Sequence, residues 1–388
     1  MRHAPPTLTS DCSLKVAIAC TLLFSAAVQA QMKPTATPAH TVNDWQFGVV
    51  LDAGATSRAL ELGARGQGLQ LGHSDLSAAG SVGNFFKAKL TGVAETHEGK
   101  LETSLEEAWL ETTSLPMGLQ LRAGRFASQV GYLNAQHPHA DDFVERPLLY
   151  RALLGGHWSD DGLRLNWTAP TSQYLMFGVE AFRGKRLVAE ASNAPGTLGA
   201  VALVAKMGDD FNRANSWQLG LSHIRNRRQA AVEDHDNEEE HNEHNGAEFS
   251  GRNTSMLDAT WKWSPDGNNR AEQLKLGFET ARTTSLNLGP DYGNRHQSHT
   301  LSAVWRFNPS WEVGTRTDWL KVSLPDEDHP TGKIREHALM VAYKPSHMQT
   351  VRLQYTTQRD VTGFEAPAKN AVQLQYVMAF GAHGAHPF

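Results

Sequence analysis

The sequence predicts an all-β fold, a transmembrane antiparallel β-barrel of about 16 strands with an inward-folding third loop. Apolar and polar residues alternate in many segments of about ten residues, the length of a tilted barrel strand. A secretory leader precedes these segments, and the connections between them alternate between tight and long. A soluble antiparallel sheet also shows alternation, so the leader and the connections are what favour a barrel.

The leader occupies residues 1–30 and is typical of a cleavable signal peptide. An apolar run extends from Val16 to Val28, and Ala30 fits the small-residue cleavage site. This run is too short to be a membrane-spanning helix. We therefore predict an exported chain, with residues 31–42 as a periplasmic lead-in and residues 43–388 as the barrel.

The composition excludes several classes of protein. The two cysteines, Cys12 and Cys20, both lie in the leader, so disulfides and thiolate metal sites are not expected in the exported chain. The mean hydropathy of -0.44 is too polar for a helical membrane protein, whereas a barrel with a wet lumen and polar loops can have it. The formal net charge of -5 gives no indication of nucleic-acid binding.

Alternation is clearest in the last predicted strand, where Val372, Leu374 and Tyr376 share one face and Gln373 and Gln375 the other. Similar segments recur from residue 43 onward. We predict strands that begin near Asn43, Leu69, Phe85, Ser104, Met117, Gly162, Tyr174, Leu198, Trp217, Met256, Gln273, His299, Trp311, Arg335, Thr350 and Asn370.

The predicted connections fall into two alternating classes. Barrels of this kind have short turns in the periplasm and long loops outside the cell, and an even strand number puts both barrel ends on one side. The short turns are Ser114–Pro116, Pro170–Gln173, Asn308–Ser310 and Lys344–His347, and the long connections are Arg125–Asp161, Arg225–Ser255, Thr283–Gln297 and Lys321–Ile334.

Tryptophan positions support this arrangement. Indole rings concentrate at membrane interfaces, where one side is apolar and the other is wet. Seven tryptophans are predicted to lie at one level, near the periplasmic interface: Trp45, Trp167, Trp217, Trp261, Trp263, Trp305 and Trp311.

The long third loop, Arg125–Asp161, is the first candidate functional feature. Long loops are usually functional, and a loop folded into a barrel of this size would narrow its open lumen. Charged loop residues opposite basic wall residues would then filter ions. Alternatively, the loop is exposed and its Pro and Asp residues only form turns. The candidates are Asp141, Asp142, Glu145 and Arg146 on the loop and Arg122, Arg164, Lys275, Arg306, Arg316 and Arg352 on the wall.

A second candidate is the acidic, histidine-rich segment Glu233–Glu248. Imidazole and carboxylate groups bind Zn²⁺ and other divalent cations. The alternative is a solvated, charged surface loop without fixed ligand geometry. The candidate ligands are His235, His241 and His244, together with His137 and His139 from the third loop.

The remaining features favour a protein that is not an enzyme. No Gly-x-Ser-x-Gly or His-Glu-x-x-His motif is present, and His299, Ser302 and His337 are interpreted as ordinary lumen or rim residues. The tail ends in Phe388, and a terminal aromatic residue after an alternating strand matches the signal that the barrel-assembly machinery recognises.

Six stretches carry a resemblance to known proteins: Glu106–Trp109, Leu121–Phe126, Gly131–Asn134, His137–His139, Phe143–Pro147 and Gly381–His386. They resemble a family of proteobacterial outer-membrane proteins often described as zinc-regulated or TonB-dependent-receptor-like and related in layout to phosphate-selective porins. The resemblance implies a porin-like barrel in a metal-related context. A 22-stranded receptor would need a plug domain and a longer chain.

The sequence therefore predicts an outer-membrane channel for passive diffusion of small hydrophilic solutes or ions, filtered at the third loop. Outer-membrane lipid and lipopolysaccharide would surround it, and a homotrimer is expected by analogy with general porins. No cofactor is required in this interpretation. The alternative is a zinc or divalent-metal binding or uptake protein.

Overall fold

The computed structural model describes residues 44–97, 99–113, 115–187, 198–227, 247, 249–286, 295–324, 330–365 and 368–381. The predicted signal peptide and lead-in lie outside these described residues. So do His235, His241, His244 and the tail from residue 382.

The described residues form one closed antiparallel sheet of sixteen strands, in which each strand pairs with its neighbours in sequence. The last strand pairs with the first from Gly48↔Gly381 to Thr56↔Gln373, which closes the barrel. The strands are β1 (Gln46–Thr56), β2 (Gly68–Leu71 and Ser74–Val82), β3 (Phe86–His97), β4 (Lys100–Thr112), β5 (Leu119–Ala127), β6 (Ser159–Thr168), β7 (Tyr174–Phe182), β8 (Ala200–Asn212), β9 (Asn215–Asn226), β10 (Gly251–Trp263), β11 (Gln273–Leu286), β12 (His296–Asn308), β13 (Trp311–Ser323), β14 (Thr331–Ser346), β15 (Gln349–Thr362) and β16 (Asn370–Gly381).

The predicted barrel is confirmed, and the strand starts agree closely. The largest difference is at β10, predicted near Met256 and observed from Gly251. At β5 the predicted start, Met117, instead lies in the 3₁₀ turn Pro116–Gly118 with a φ of +62°, so the strand begins at Leu119. The seven tryptophans lie near the short-turn end of the barrel, as predicted.

The two faces of the sheet differ in polarity. Large apolar side chains such as Phe47, Leu339 and Leu374 are exposed on the outer face, and polar side chains such as Gln373 and Gln375 are buried on the inner face. An apolar outer surface of this extent fits the hydrocarbon of a bilayer rather than water. Among the described residues, no helix is long and apolar enough to cross a membrane.

The third loop, residues 128–158, contains the 3₁₀ turn Pro138–Ala140 and one α-helix, α1 (Leu148–Leu154). All seven residues of α1 are buried. The helix ends at Gly155, whose φ of +62° is the left-handed conformation that glycine adopts without a steric penalty. Together with Phe126, Trp158 and Phe182, α1 belongs to the largest hydrophobic cluster. The third loop therefore occupies part of the barrel interior at this level.

The outer face provides a direct test of the bilayer interpretation. Leu374→Arg places a charge near the middle of β16, on a side chain that is 49% exposed, and should lower the free energy of unfolding by about 2–4 kcal/mol. Phe380→Arg, near the strand end, should lower it by about 1 kcal/mol or less. Urea unfolding of the barrel in lipid vesicles measures both values. Equal losses of the free energy of unfolding in the two variants would contradict a bilayer around the outer face, because the cost of a charge should be larger in the middle of the bilayer than near its edge.

Candidate functional site

The third loop crosses the lumen and contacts strands on several sides of the barrel. Lys206 Nζ on β8 donates to the Gly131 carbonyl at 3.0 Å, and the Tyr132 amide donates to Glu279 on β11 at 3.0 Å. Farther round the barrel, the Val144 amide donates to Gln354 Oε1 on β15 at 2.8 Å. These contacts confirm that the loop folds inward.

Glu145 connects the loop to both sides of the seam between β16 and β1. Its Oε1 accepts a hydrogen bond from Gln373 Nε2 on β16 at 2.9 Å. Its Oε2 accepts from the Ala64 amide, in the connection between β1 and β2, at 3.0 Å. The side chain is buried. Predicted as a pore-lining charge, Glu145 is instead a structural link between the loop and the wall.

A buried cluster of four charged groups anchors α1 to the wall. Arg151 on α1 contacts Glu336 Oε1 on β14 at 2.5 Å. Arg316 on β13 contacts the same carboxylate oxygen at 2.8 Å and Asp318 at 2.7 Å. Arg316 also donates to the carbonyl of Glu145. Two guanidinium and two carboxylate groups balance one another here, as buried charges require.

The other charged residues of the loop differ in accessibility. Asp141 is buried and pairs with Arg146 of the same loop at 2.7 Å, while Arg352 donates to the Asp141 carbonyl at 2.7 Å. Asp142 pairs with Lys275 on β11 at 2.5 Å, and these two side chains are 24% and 20% exposed. Burial raises the pKa of Asp142, but Lys275 outweighs it and holds the pKa below its usual range. Asp142 is therefore an ionised, accessible charge.

The remaining wall arginines form ion pairs with carboxylates of the wall rather than with the loop carboxylates Asp141, Asp142 and Glu145. Each pairs with a carboxylate of the wall itself, because a partly buried charge is stabilised by the nearest opposite charge. The pairs are Arg122 with Glu111 at 2.8 Å, Arg164 with Glu180 at 2.6 Å and Arg306 with Glu312 at 2.5 Å.

Four histidines gather at the long-loop end of the barrel. His137 and His139, both predicted candidates, have ring centroids 5.5 Å apart. His73 from β2 lies 5.6 Å from His137, and His157 at the end of the loop lies 6.0 Å from it. His73 and His157 were not singled out by the sequence interpretation. The other predicted ligands, His235, His241 and His244, lie outside the described residues.

An interruption in β2 positions His73. The strand pairs with β1 as Val50↔Asp75 below the interruption and as Ala53↔Leu71 above it, so one extra residue is inserted between Leu71 and Ser74. A bulge of this kind changes which face successive side chains occupy. Leu69 and Leu76 can therefore both face outward, while His73 and Asp75 are buried inside.

A second bulge, in β4, positions two consecutive carboxylates. The register with β3 shifts from Thr91↔Glu107 to Gly92↔Leu105, which leaves Glu106 as the extra residue. Glu106 and Glu107 are both buried. The signal for the β2 bulge was present in the sequence, since Leu69 and Leu76 cannot share a face under strict alternation. Glu106-Glu107 likewise breaks the alternation of β4.

The carboxylates and the histidines are in direct contact. His137 Nδ1 lies 2.9 Å from Glu106 Oε2 and 3.5 Å from Asp75 Oδ2, and His137 Nε2 lies 3.0 Å from Glu107 Oε2. Burial lowers the pKa of His137, but the attraction of Glu106 and Glu107 outweighs burial and raises it to about 9. Three carboxylates around one imidazole leave an excess of negative charge, which a cation would reduce.

A cavity of 340 Å³ lies beside this cluster, between the connection from β1 to β2 and the third loop. Its lining includes Arg65, His73, Glu106, Arg146 and His157. The cavity is much larger than one water molecule, and both charged and apolar side chains line it. It places open space next to His73 and His157.

Residues considered for catalysis are not assembled into a site. His299 is exposed on the outer face and bonds to Thr280 Oγ1 at 2.8 Å. Ser302, three residues along the same strand, lines a cavity inside the barrel. Side chains three apart on a strand point to opposite faces, so the two do not meet. His337 is likewise bonded to a threonine, Thr317, at 2.9 Å.

No protein-family model matches the chain. An uncharacterized protein of Aquifex aeolicus (strain VF5) is 26% identical over 350 residues, which are 83% of this chain and 70% of that protein.

Three solved structures are similar to the barrel. OprB of Pseudomonas putida at high pH has a TM-score of 0.58 and 11% identity, and the match covers 87% of this chain and 94% of that one. The outer membrane channel DcaP of Acinetobacter baumannii has a TM-score of 0.56 and 12% identity, and the match covers 90% of this chain and 100% of that one. The trimer form of OmpT, an outer membrane protein of Vibrio cholerae, has a TM-score of 0.53 and 9% identity, and the match covers 87% of this chain and 99% of that one. At these identities the likeness shows the fold, which is that of outer-membrane porins.

The buried anchor of α1 can be tested by removing its central charge. Glu336→Gln leaves Arg151 and Arg316 without their shared carboxylate and should destabilise the loop by about 3 kcal/mol. Trypsin should then cleave the folded barrel after Arg146 or Arg151. Glu312→Gln is the matched control, because Glu312 also pairs with two basic side chains but does not contact the loop. Equal trypsin resistance of the two variants would contradict this role of Glu336.

Proposed function

We propose that the protein is a channel of the Gram-negative outer membrane through which small hydrophilic solutes or ions diffuse passively. The observation that carries this proposal is the closed barrel with an apolar outer face and a polar interior crossed by its third loop. A barrel of about 16 strands encloses more space than its wall side chains fill, so a loop within it determines the free cross-section. The likeness to DcaP, described as a channel, supports the proposal.

The third loop would filter charge where its accessible charges meet the wall. Asp142 and Lys275 form the accessible pair, whereas Asp141, Glu145 and Arg146 are buried and bonded within the protein. A small cavity of 40 Å³ beside this pair is lined by Tyr132, Asp142 and Lys275 among others. Charges at a constriction act strongly on passing ions because little water is present to screen them.

The surroundings of the channel follow from the same proposal. Lipid and lipopolysaccharide would cover the outer face, the barrel-assembly machinery would insert the chain, and short turns would lie in the periplasm. A homotrimer is supported by the likeness to OmpT, which was solved in a trimer form. In this proposal the protein has no enzymatic activity.

A second interpretation, zinc capture by the Glu233–Glu248 segment, stays a prediction. It depends on His235, His241 and His244, which lie outside the described residues. The resemblance to a zinc-regulated family is its other support. Deletion of residues 233–248 separates this interpretation from the channel, since the deletion should leave conductance present but remove the zinc that this segment binds.

Single-channel recording in planar bilayers tests the filter. Asp142→Asn removes one accessible negative charge and should reduce the permeability of K⁺ relative to Cl⁻ by about twofold. Asp141→Asn should have a smaller effect, because Asp141 is buried against Arg146. The wild type and Asp142→Asn should reach the same permeability of K⁺ relative to Cl⁻ as the pH falls through the lowered pKa of Asp142. Below that pH the wild-type carboxylate is neutral, like the amide that replaces it.

Asp266→Asn, in an exposed short turn, is the control and should leave the reversal potential unchanged. A wild-type barrel that shows no conductance would refute the channel. A reversal potential that is unchanged in Asp142→Asn would refute the filter alone.

A further inference from the structure

The histidine and carboxylate side chains at the long-loop end form a compact set of metal-ligating groups. Potential ligand atoms of His73, Asp75 and His137 all lie within 4.8 Å of one another. We propose that these three side chains, together with Glu106, bind a divalent cation of the zinc type inside the barrel. The site is distinct from the Glu233–Glu248 segment, and it does not depend on whether the barrel conducts ions.

The distances between the ligand atoms fit a tetrahedral site. Metal–ligand bonds of about 2.0–2.1 Å place neighbouring ligand atoms of a tetrahedron about 3.3 Å apart. His73 Nε2 and His137 Nδ1 are 3.4 Å apart, and His137 Nδ1 and Asp75 Oδ2 are 3.5 Å apart. Glu106 Oε2 lies 3.2 Å from His73 Nε2 and 2.9 Å from His137 Nδ1. Four of the edges of one tetrahedron are thus close to the expected length.

The ring nitrogens that do not face the proposed site, His137 Nε2 and His73 Nδ1, provide a second, independent observation. A metal-bound histidine usually donates its other ring N–H to a carboxylate, which fixes the orientation of the ring. His137 Nε2 faces Glu107 Oε2 at 3.0 Å, and His73 Nδ1 faces Glu95 Oε2 at 3.8 Å. His73 Nε2 and His137 Nδ1 therefore point to the proposed site, while the other nitrogen of each ring faces a carboxylate.

The charge and chemistry of the ligands select the ion. Asp75, Glu95, Glu106 and Glu107 surround the site, and Lys89 is the basic side chain bonded to Glu107. This excess of carboxylates favours a cation. Two imidazole nitrogens with carboxylate oxygens suit Zn²⁺ and similar transition-metal ions, whereas Ca²⁺ and Mg²⁺ prefer oxygen ligands alone.

A bound cation would tie the third loop to the wall. His137 belongs to the loop, His73 and Asp75 to β2, and Glu106 to β4. His157, at the end of the loop, contacts Glu106 Oε1 through its Nδ1 at 2.5 Å, and its Nε2 has no hydrogen-bond partner among the described residues. The ion would thus hold two separate parts of the loop near the same point of the wall.

Calorimetric titration of the purified, chelator-treated barrel with Zn²⁺ tests the site. One Zn²⁺ per barrel is expected. His73→Gln and His137→Gln should each weaken binding about tenfold or more, because each removes a ligand. His223→Gln is the matched control, since His223 bonds to Ser255 away from the cluster. Deletion of residues 233–248 should leave this binding event intact.

Co²⁺ provides a readout of geometry, since a tetrahedral nitrogen and oxygen site gives an intense visible absorption that an octahedral surface site lacks. This absorption should be present in wild type and absent in His137→Gln. Heat-dependent gel migration shows that each variant is folded. The proposal is overturned if folded His73→Gln and His137→Gln barrels bind Zn²⁺ as tightly as wild type. It is also overturned if deleting residues 233–248 removes all binding.

Discussion

The arrangement of the interior depends on one constraint, that charges taken out of water must be paired at short distance. Arg151 and Arg316 share the carboxylate of Glu336, and this cluster holds α1 inside the barrel. Arg164 and Glu180 satisfy each other on the opposite wall. With its buried charges satisfied, the third loop can remain in the lumen, and the apolar face of α1 then packs against Phe126, Trp158 and Phe182.

The same constraint separates structural from functional charges. Arg146 is bonded to the Asp141 carboxylate and to loop carbonyls, which offset its charge, so it interacts only weakly with a passing ion. Asp142 and Lys275 are paired as well, but they remain partly open to water. The histidine cluster is different again, since several carboxylates there converge on two imidazole nitrogens. The lumen therefore contains three kinds of charged cluster: buried pairs with balanced charge, a balanced pair that is partly open to water, and a histidine cluster with an excess of carboxylates.

The sequence predicted the barrel well because alternation, turns and loop lengths are local properties. The strand β16 could be recognised from Val372, Leu374 and Tyr376 alone. The sites were harder because they depend on which distant residues meet. Neither His73 nor Glu106 lies near His137 in sequence, and both reach it through bulges that shift a strand by one residue. The pairing partners of the wall arginines could not be deduced from the sequence, since pairing depends on the register between strands.

Glu145 has a consequence for how the protein folds. Its two carboxylate oxygens bind Gln373 on the last strand and Ala64 beside the first, residues separated from it by 228 and 81 positions in the chain. Contacts over such separations form late, because the entropy of closing large loops must first be overcome. The loop and the seam therefore reach their final positions cooperatively. Glu145 therefore cannot make both of its hydrogen bonds until the two sides of the seam, β16 and β1, have come together.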